Sequence, residues 1–300
     1  MTFNFRLEPK PQTSWGVRHA FWFFAMGLGS ALYLNNQFFG VELGHVLGLS
    51  LAHVLGLILV AVGGLVLLSD LGRPERFWRA IMNPRQSWIA VGAICDFLFM
   101  SLDSLYLLPD LTLEGRQPLA SLAWGDTWWS FLLQGVVAIS AFIIIVYPGL
   151  VLSSSPSIPF WNTTLIPLQF LFFAFAGALA MGLAFAAAQG QTIPQSWLLA
   201  EVLLLCTSLL MLISHLINAY QLRGTARESA RRLLRGPFAL HLWMGVFLAG
   251  LLLPLGLVAL VVYGSGMVVV LMIAVGVLTQ VGNFLSKLCV LRVGLYPPIF

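Results

Sequence analysis

Charge is what this chain has least of. Only 9% of its 300 residues are Asp, Glu, Lys or Arg, against about 25% in a soluble domain. That shortage excludes a protein whose whole surface faces water. Cysteine is equally sparse. Cys95, Cys206 and Cys289 lie far apart inside apolar runs, with no Cys-x-x-Cys pair. This argues against a disulfide framework, and against an iron–sulfur cluster or zinc site held by this chain. There is no low-complexity tract and no convincing repeat, so nothing marks a separate soluble domain. The net charge of +4 is no nucleic-acid footprint. The basic residues sit in short segments between apolar runs, the pattern that orients a membrane protein.

What the chain has instead is hydrophobic residues, 59% of the total. They gather in runs at 17–38, 46–68, 89–108, 128–150, 165–188, 198–220, 240–262 and 266–290. Each is about the 20 residues that a spanning helix needs. The first follows Arg6, Lys10 and Arg18 and leads into Asn35, Asn36 and Gln37 without a small-x-small cleavage site. It reads as a retained helix rather than a removed signal. Two connecting segments are densely basic, one around Arg73, Arg76, Arg79 and Arg85, the other from Arg223 to Arg235. With eight spans and both termini cytoplasmic, fourteen of the fifteen Lys and Arg residues fall inside, Lys287 and Arg292 among them, and only Arg116 falls outside. The expectation is an all-α, polytopic membrane protein, a single integral domain of two four-helix halves, 17–150 and 165–290, in the cytoplasmic membrane of a bacterium. Ala174, Ala178, Gly182 and Ala186 recur every four residues and mark a helix-packing seam.

The polar residues left inside these runs are the candidates for chemistry. Asp96 and Asp103 are seven residues apart, two helical turns, so both face one way about 10 Å apart along the axis. A carboxylate at such depth costs about 2.5–3.5 kcal/mol and must face the bundle interior or water. His53 is embedded in the second run. Asn35, His53, Asp103, Tyr106 and Gln134 all fall in the outer half of the first four helices. Such a group could grip the two carbonyl oxygens of a quinone, with His53 and Asp103 exchanging protons and Asn35 or Gln134 holding a carbonyl. Asp96 and Asp103 could equally be links in a proton path, with Glu201 continuing it or merely snorkelling to the surface. Trp128 and Trp129, next to Asp126, read as interface-belt residues, and Asn36, Gln37 and His45 as headgroup-level ones. A haem would need two facing imidazoles, and only His19, His215 and His241 lie at matched inner depth. A free-standing transporter is a further reading, though Gly and Pro cluster near helix ends rather than breaking the helices.

Three stretches resemble a known family, the polysulfide-reductase-type membrane subunits or NrfD/PsrC family. They are Asp70-Leu71-Gly72-Arg73-Pro74 with Arg76-Phe77-Trp78-Arg79 and Asn83-Pro84-Arg85-Gln86-Ser87-Trp88; Tyr147-Pro148-Gly149 with Phe160-Trp161-Asn162-Thr163-Thr164; and Leu291-Arg292-Val293-Gly294-Leu295-Tyr296. The resemblance covers nearly the whole sequence. It implies a haem-free eight-helix anchor that exchanges electrons and protons with menaquinone or ubiquinone in its first half. It also implies a four-cluster ferredoxin-like iron–sulfur subunit and a molybdopterin catalytic subunit as partners, which would carry the metal centres. By place, the family's site falls on Asn35, His53, Asp103 and Tyr106. The motifs themselves lie on the opposite, inner loops and read as structural turns. Alternatives left standing are a proton-conducting subunit of a larger quinol-oxidising complex and a haem-b cytochrome subunit.

Overall fold

The computed structural model describes residues 8–125, 127–264 and 266–298. Arg6 and Asp126, both used in the sequence reading, lie outside them, as do the side chains of Pro74, Glu75 and Phe77. The described part is almost entirely helical: α1 (Val17–Phe39), α2 (Leu51–Ser69), α3 (Trp88–Leu107), α4 (Trp128–Ser153), α5 (Leu165–Ala188), α6 (Gln195–Gln221), α7 (Thr225–Arg235), α8 (His241–Val262) and α9 (Val268–Arg292). Helix is the form that satisfies every backbone group within one segment, as hydrocarbon surroundings demand. Among the described residues, α2, α3, α4, α5, α6, α8 and α9 are long and apolar enough to cross a membrane. The 23-residue α1 is long enough too, but Arg18, His19, Asn35, Asn36 and Gln37 dilute it. Its environment explains why that is tolerated. Residues 25–35 of α1 are all buried, because it packs against α2, α4, α5 and α9 and touches protein on every side. The lipid-facing helices show the opposite pattern, with Ile58 and Leu65 of α2 and Leu203 and Leu210 of α6 exposed.

Glycine sets the closest approach. A side chain at Gly29 would meet the Gly56 carbonyl oxygen at 2.7 Å, and one at Gly56 would meet that of Gly29 at 2.9 Å. α1 and α2 therefore touch backbone to backbone. The small-residue stripe of α5 does act as a seam: Ala174, Ala178, Gly182 and Ala186 are all buried, with Gly27 of α1 against Ala174 and Val41 against Gly182. Helix α8 opens with a π-helical stretch, His241–Leu252. It ends just before Pro254, whose ring nitrogen cannot donate to the carbonyl four residues back.

Some expectations need correction. The second apolar run, 46–68, does not open as helix. Its first residues form a β-hairpin, β2 (His45–Val46) with β3 (Leu49–Ser50). Leu47 and Gly48 turn it at φ 53° and 82°, as a two-residue hairpin loop requires. The helix starts only at Leu51. The basic segment after Arg223 is not a loop but α7, with Ala226, Ala230 and Leu233 on its buried face. Lys287, counted in the sequence among the charges on the inner side, is buried in the bundle. It is 1% exposed, hydrogen-bonded to the Asn283 side-chain oxygen on α9 and set over the Phe170 ring.

The described ends of the polypeptide meet. β1 (Lys10–Pro11) pairs antiparallel with β4 (Leu295–Tyr296), and the Gln12 side chain donates to the carbonyls of Trp15 and Leu291. Trp161 donates to the Val290 carbonyl at 2.8 Å, and Asp70 lies 3.2 Å from His19 and 3.6 Å from Arg18. The motif residues thus lock helix ends together at this chain-end face.

Candidate functional site

The far end of the bundle is built differently. The hairpin docks on the segment after α3, with Thr112 N–H donating to the Leu47 carbonyl at 2.7 Å. It fixes the start of α2, so His53 stands in that helix's first turn. Thr127 caps α4 by accepting from Ser130 N–H, which places Ser130 and Gln134 one turn apart near its start. The last turns of α1 and α3 reach the same level with Tyr33, Asn36, Gln37, Asp103 and Tyr106.

At the centre, His53 Nδ1 and Asp103 Oδ1 are 2.8 Å apart. His53 is 4% exposed and Asp103 1%. Asn36 Nδ2 donates to the Val41 carbonyl at 3.3 Å, which turns its Oδ1 toward His53 Nε2 at 3.1 Å. Nε2 must then carry a hydrogen. The pair consequently holds one further proton between Nδ1 and Oδ1 and is neutral overall wherever that proton sits. A neutral pair is the form that can be buried here, since a lone carboxylate would be expensive. Asp103 Oδ2 is enclosed and has no hydrogen-bond partner among the described residues. Tyr33 packs edge-on against His53 at 4.8 Å and against Phe99 at 5.4 Å. Tyr106 lies parallel to the imidazole at 6.4 Å.

A second series of hydrogen bonds runs beside it. Gln134 Nε2 donates to Tyr106 Oη at 2.8 Å and to Ser130 Oγ at 3.2 Å, and Gln37 Nε2 donates to Gln134 Oε1 at 2.6 Å. Tyr106 and Ser130, with Trp124, line a cavity of about 220 Å³. A separate apolar groove of about 380 Å³ lies on α1, α4 and α5, walled by Leu34, Phe38, Ala138, Phe142 and Phe175. Trp128 and Trp129 are exposed and stacked on each other at this end.

The structure therefore brings His53, Asp103, Tyr106 and Gln134 together. Asn35 stands apart from them: its Nδ2 donates to the Phe175 carbonyl at 3.3 Å, on the α5 side of α1. Its neighbours Asn36 and Gln37, which read in the sequence as headgroup-level residues, are the ones that join the cluster. The signal is present in the spacing. Tyr33, Asn36 and Gln37 stand at i, i+3 and i+4 and share a face, whereas Asn35 points away from it. Asp96 and Asp103 do not share partners either. Asp96 sits beside the Tyr147 hydroxyl, and its Oδ1 is enclosed without a partner among the described residues.

The other helices hold a sparser polar group. Glu201 does not snorkel. It is 0% exposed, and neither carboxylate oxygen has a partner among the described residues. Ser208 and His215 follow it at seven-residue intervals on α6 and are also buried. His215 Nδ1 lies 3.3 Å from Gln169 Oε1 and Nε2 3.1 Å from the Phe160 carbonyl oxygen; a neutral imidazole, with one N–H, donates to only one of the two.

The family model described as "Polysulphide reductase, NrfD" matches residues 7–297. A polysulfide reductase subunit of Wolinella succinogenes is 29% identical over 200 residues, 62% of this protein and 62% of that one. The match thus spans somewhat less than two thirds of that relative's length.

Proposed function

The protein belongs to the NrfD polysulphide reductase family, and we propose that it is the quinone-reactive membrane subunit of a multi-subunit oxidoreductase. The observation that carries this reading is the buried His53–Asp103 pair, with one carboxylate oxygen enclosed and unpartnered among the described residues. The residues present fit a quinone headgroup, which needs a donor at each carbonyl oxygen, an acid–base group nearby and an apolar slot for its tail. A quinone bound here takes up or gives back two electrons and two protons. His53 and Asp103 would hold one of the two protons exchanged, the second coming from or going to the surrounding water. Asn36 fixes the imidazole's orientation by occupying Nε2. Tyr106 and Gln134 orient a carbonyl from the α3–α4 side, Tyr33 and Phe99 close the site to water, and the groove between Leu34 and Phe142 receives the tail.

Electrons pass to or from a partner. The relative's name makes it one subunit of a polysulfide reductase. The family resemblance, rather than the relative's name, supports as partners a four-cluster ferredoxin-like iron–sulfur subunit near this end and a molybdopterin subunit that acts on the terminal substrate. In the bilayer we count α1 as the eighth span. Chain ends paired on one face require an even number of crossings, and the seven apolar helices need α1 to complete it. The halves are then α1–α4 and α5, α6, α8 and α9. The arginines around the chain-end face support a reading in which that face is cytoplasmic, in the inner membrane of a bacterium.

The test is quinol turnover by the complex in membranes carrying Asp103→Asn or His53→Gln. Loss of a positioned proton-transfer group costs about 10²-fold or more. Each variant should show that loss while the complex still assembles and binds its partners. Normal turnover in both would remove the site assignment. Glu201 favours a second reading, a proton conduit along Glu201, Ser208 and His215. Proton uptake lost in Glu201→Gln while quinol oxidation continues would support it.

A further inference from the structure

An apolar recess outside the proposed site lies at the opposite, chain-end face. It has a volume of about 570 Å³ between α6, α7 and α8. Ile213, Ile217, Phe247 and Trp243 line it, Trp243 donating from its indole to the Leu234 carbonyl at 3.1 Å. Arg231 and Arg235 of α7 line it too. They are one helical turn apart and so project from one face. Arg235 has no ion-pair partner among the described residues, and Arg231 has only Glu228 at 3.8 Å. Two guanidinium groups beside an apolar wall that includes a tryptophan match a molecule with an anionic head and a hydrocarbon body. A neutral lipid or a quinone supplies only the body.

We propose that this recess binds an anionic phospholipid, its phosphate held by Arg231 and Arg235 and its acyl tails laid along α6 and α8. Guanidinium forks suit phosphate oxygens, and basic pockets between helices at a membrane surface select anionic headgroups. The bound lipid would tie α7 to the bilayer and to the ends of α6 and α8.

The test uses the full-length protein in phosphatidylcholine nanodiscs, titrated with brominated phosphatidylglycerol or brominated phosphatidylcholine. The difference between wild type and Trp243→Phe isolates the Trp243 fluorescence. Quenching by phosphatidylglycerol should reach half its extent at a far lower mole fraction than quenching by phosphatidylcholine. Each of Arg231→Gln and Arg235→Gln should raise that fraction about fivefold. The pair Arg231→Lys and Arg235→Lys should retain most of the preference, which separates lost charge from misfolding. Native mass spectrometry should count phosphatidylglycerol adducts lost in the Gln variants. Equal quenching by the two lipids would overturn the proposal, leaving an apolar recess with no headgroup preference. Full competition by millimolar inorganic phosphate would overturn it too, assigning the arginines to a free anion.

Discussion

Asn35 and Asn36 are adjacent in sequence and stand on different faces of α1, and this separation decides which of them meets His53. Asn36 accepts from His53 Nε2, while Asn35 bonds the Phe175 carbonyl across the helix. Asn36→Leu should therefore lower quinol turnover about tenfold or more, by freeing the imidazole to turn, and Asn35→Leu should change it far less. Comparable losses in the two variants would show that α1 is rotated from the position described. Removing one member of the buried pair has a separate, structural cost. His53→Ala leaves Asp103 enclosed without its partner, which should destabilise the protein by about 3 kcal/mol, whereas Asp103→Asn leaves no buried charge and should cost less. Thermal unfolding in detergent checks the order of the two. His53 and Asp103 are legible in the sequence because an ionisable group in an apolar run is too costly to keep without a role. Asn36 and Gln37 do not stand out there, because their place at a helix end reads equally well as a headgroup contact.

At the scale of elements, the site depends on how closely α1 and α2 approach. Gly56 lies one turn after His53, and a side chain there would strike the Gly29 carbonyl oxygen at 2.9 Å. Gly56→Ala should cost about 1–3 kcal/mol through overpacking and lower turnover as His53 is displaced. Gly256→Ala on α8 meets nothing within 4 Å and should be neutral or slightly stabilising. Melting temperatures of the two variants make the comparison. The apolar runs locate the long helices well, because hydrocarbon surroundings leave little choice of backbone form. The ends are harder to read. Val46, Leu47 and Leu49 are apolar and look like helix, yet Gly48 at positive φ turns them into a hairpin. The arginines between 223 and 235 look like a loop until Ala226, Ala230 and Leu233 are seen to repeat at helical spacing.

For the molecule as a whole, the positive charge gathers at the face where the chain ends pair, and the proposed quinone site lies at the far face. Reporter fusions to the N- and C-termini should both report the cytoplasm, and a tag inserted beside Arg116 should report the other side. A split result for the two termini would mean that α1 does not cross. The charge pattern is what supports this proposed orientation in the sequence, and Lys287, counted there among the inner charges, is buried on α9. The central claim is that a quinone binds among the ends of α1–α4 at the far face. Its most direct test is photolabelling of the assembled complex in native membranes with an azido-quinone, followed by peptide mapping. Label on peptides carrying Asn36, Tyr106 or Gln134, displaced by unlabelled quinone and lost in Asp103→Asn, is the predicted result. Displaceable label confined to α5–α9, with those peptides unmarked, would contradict it.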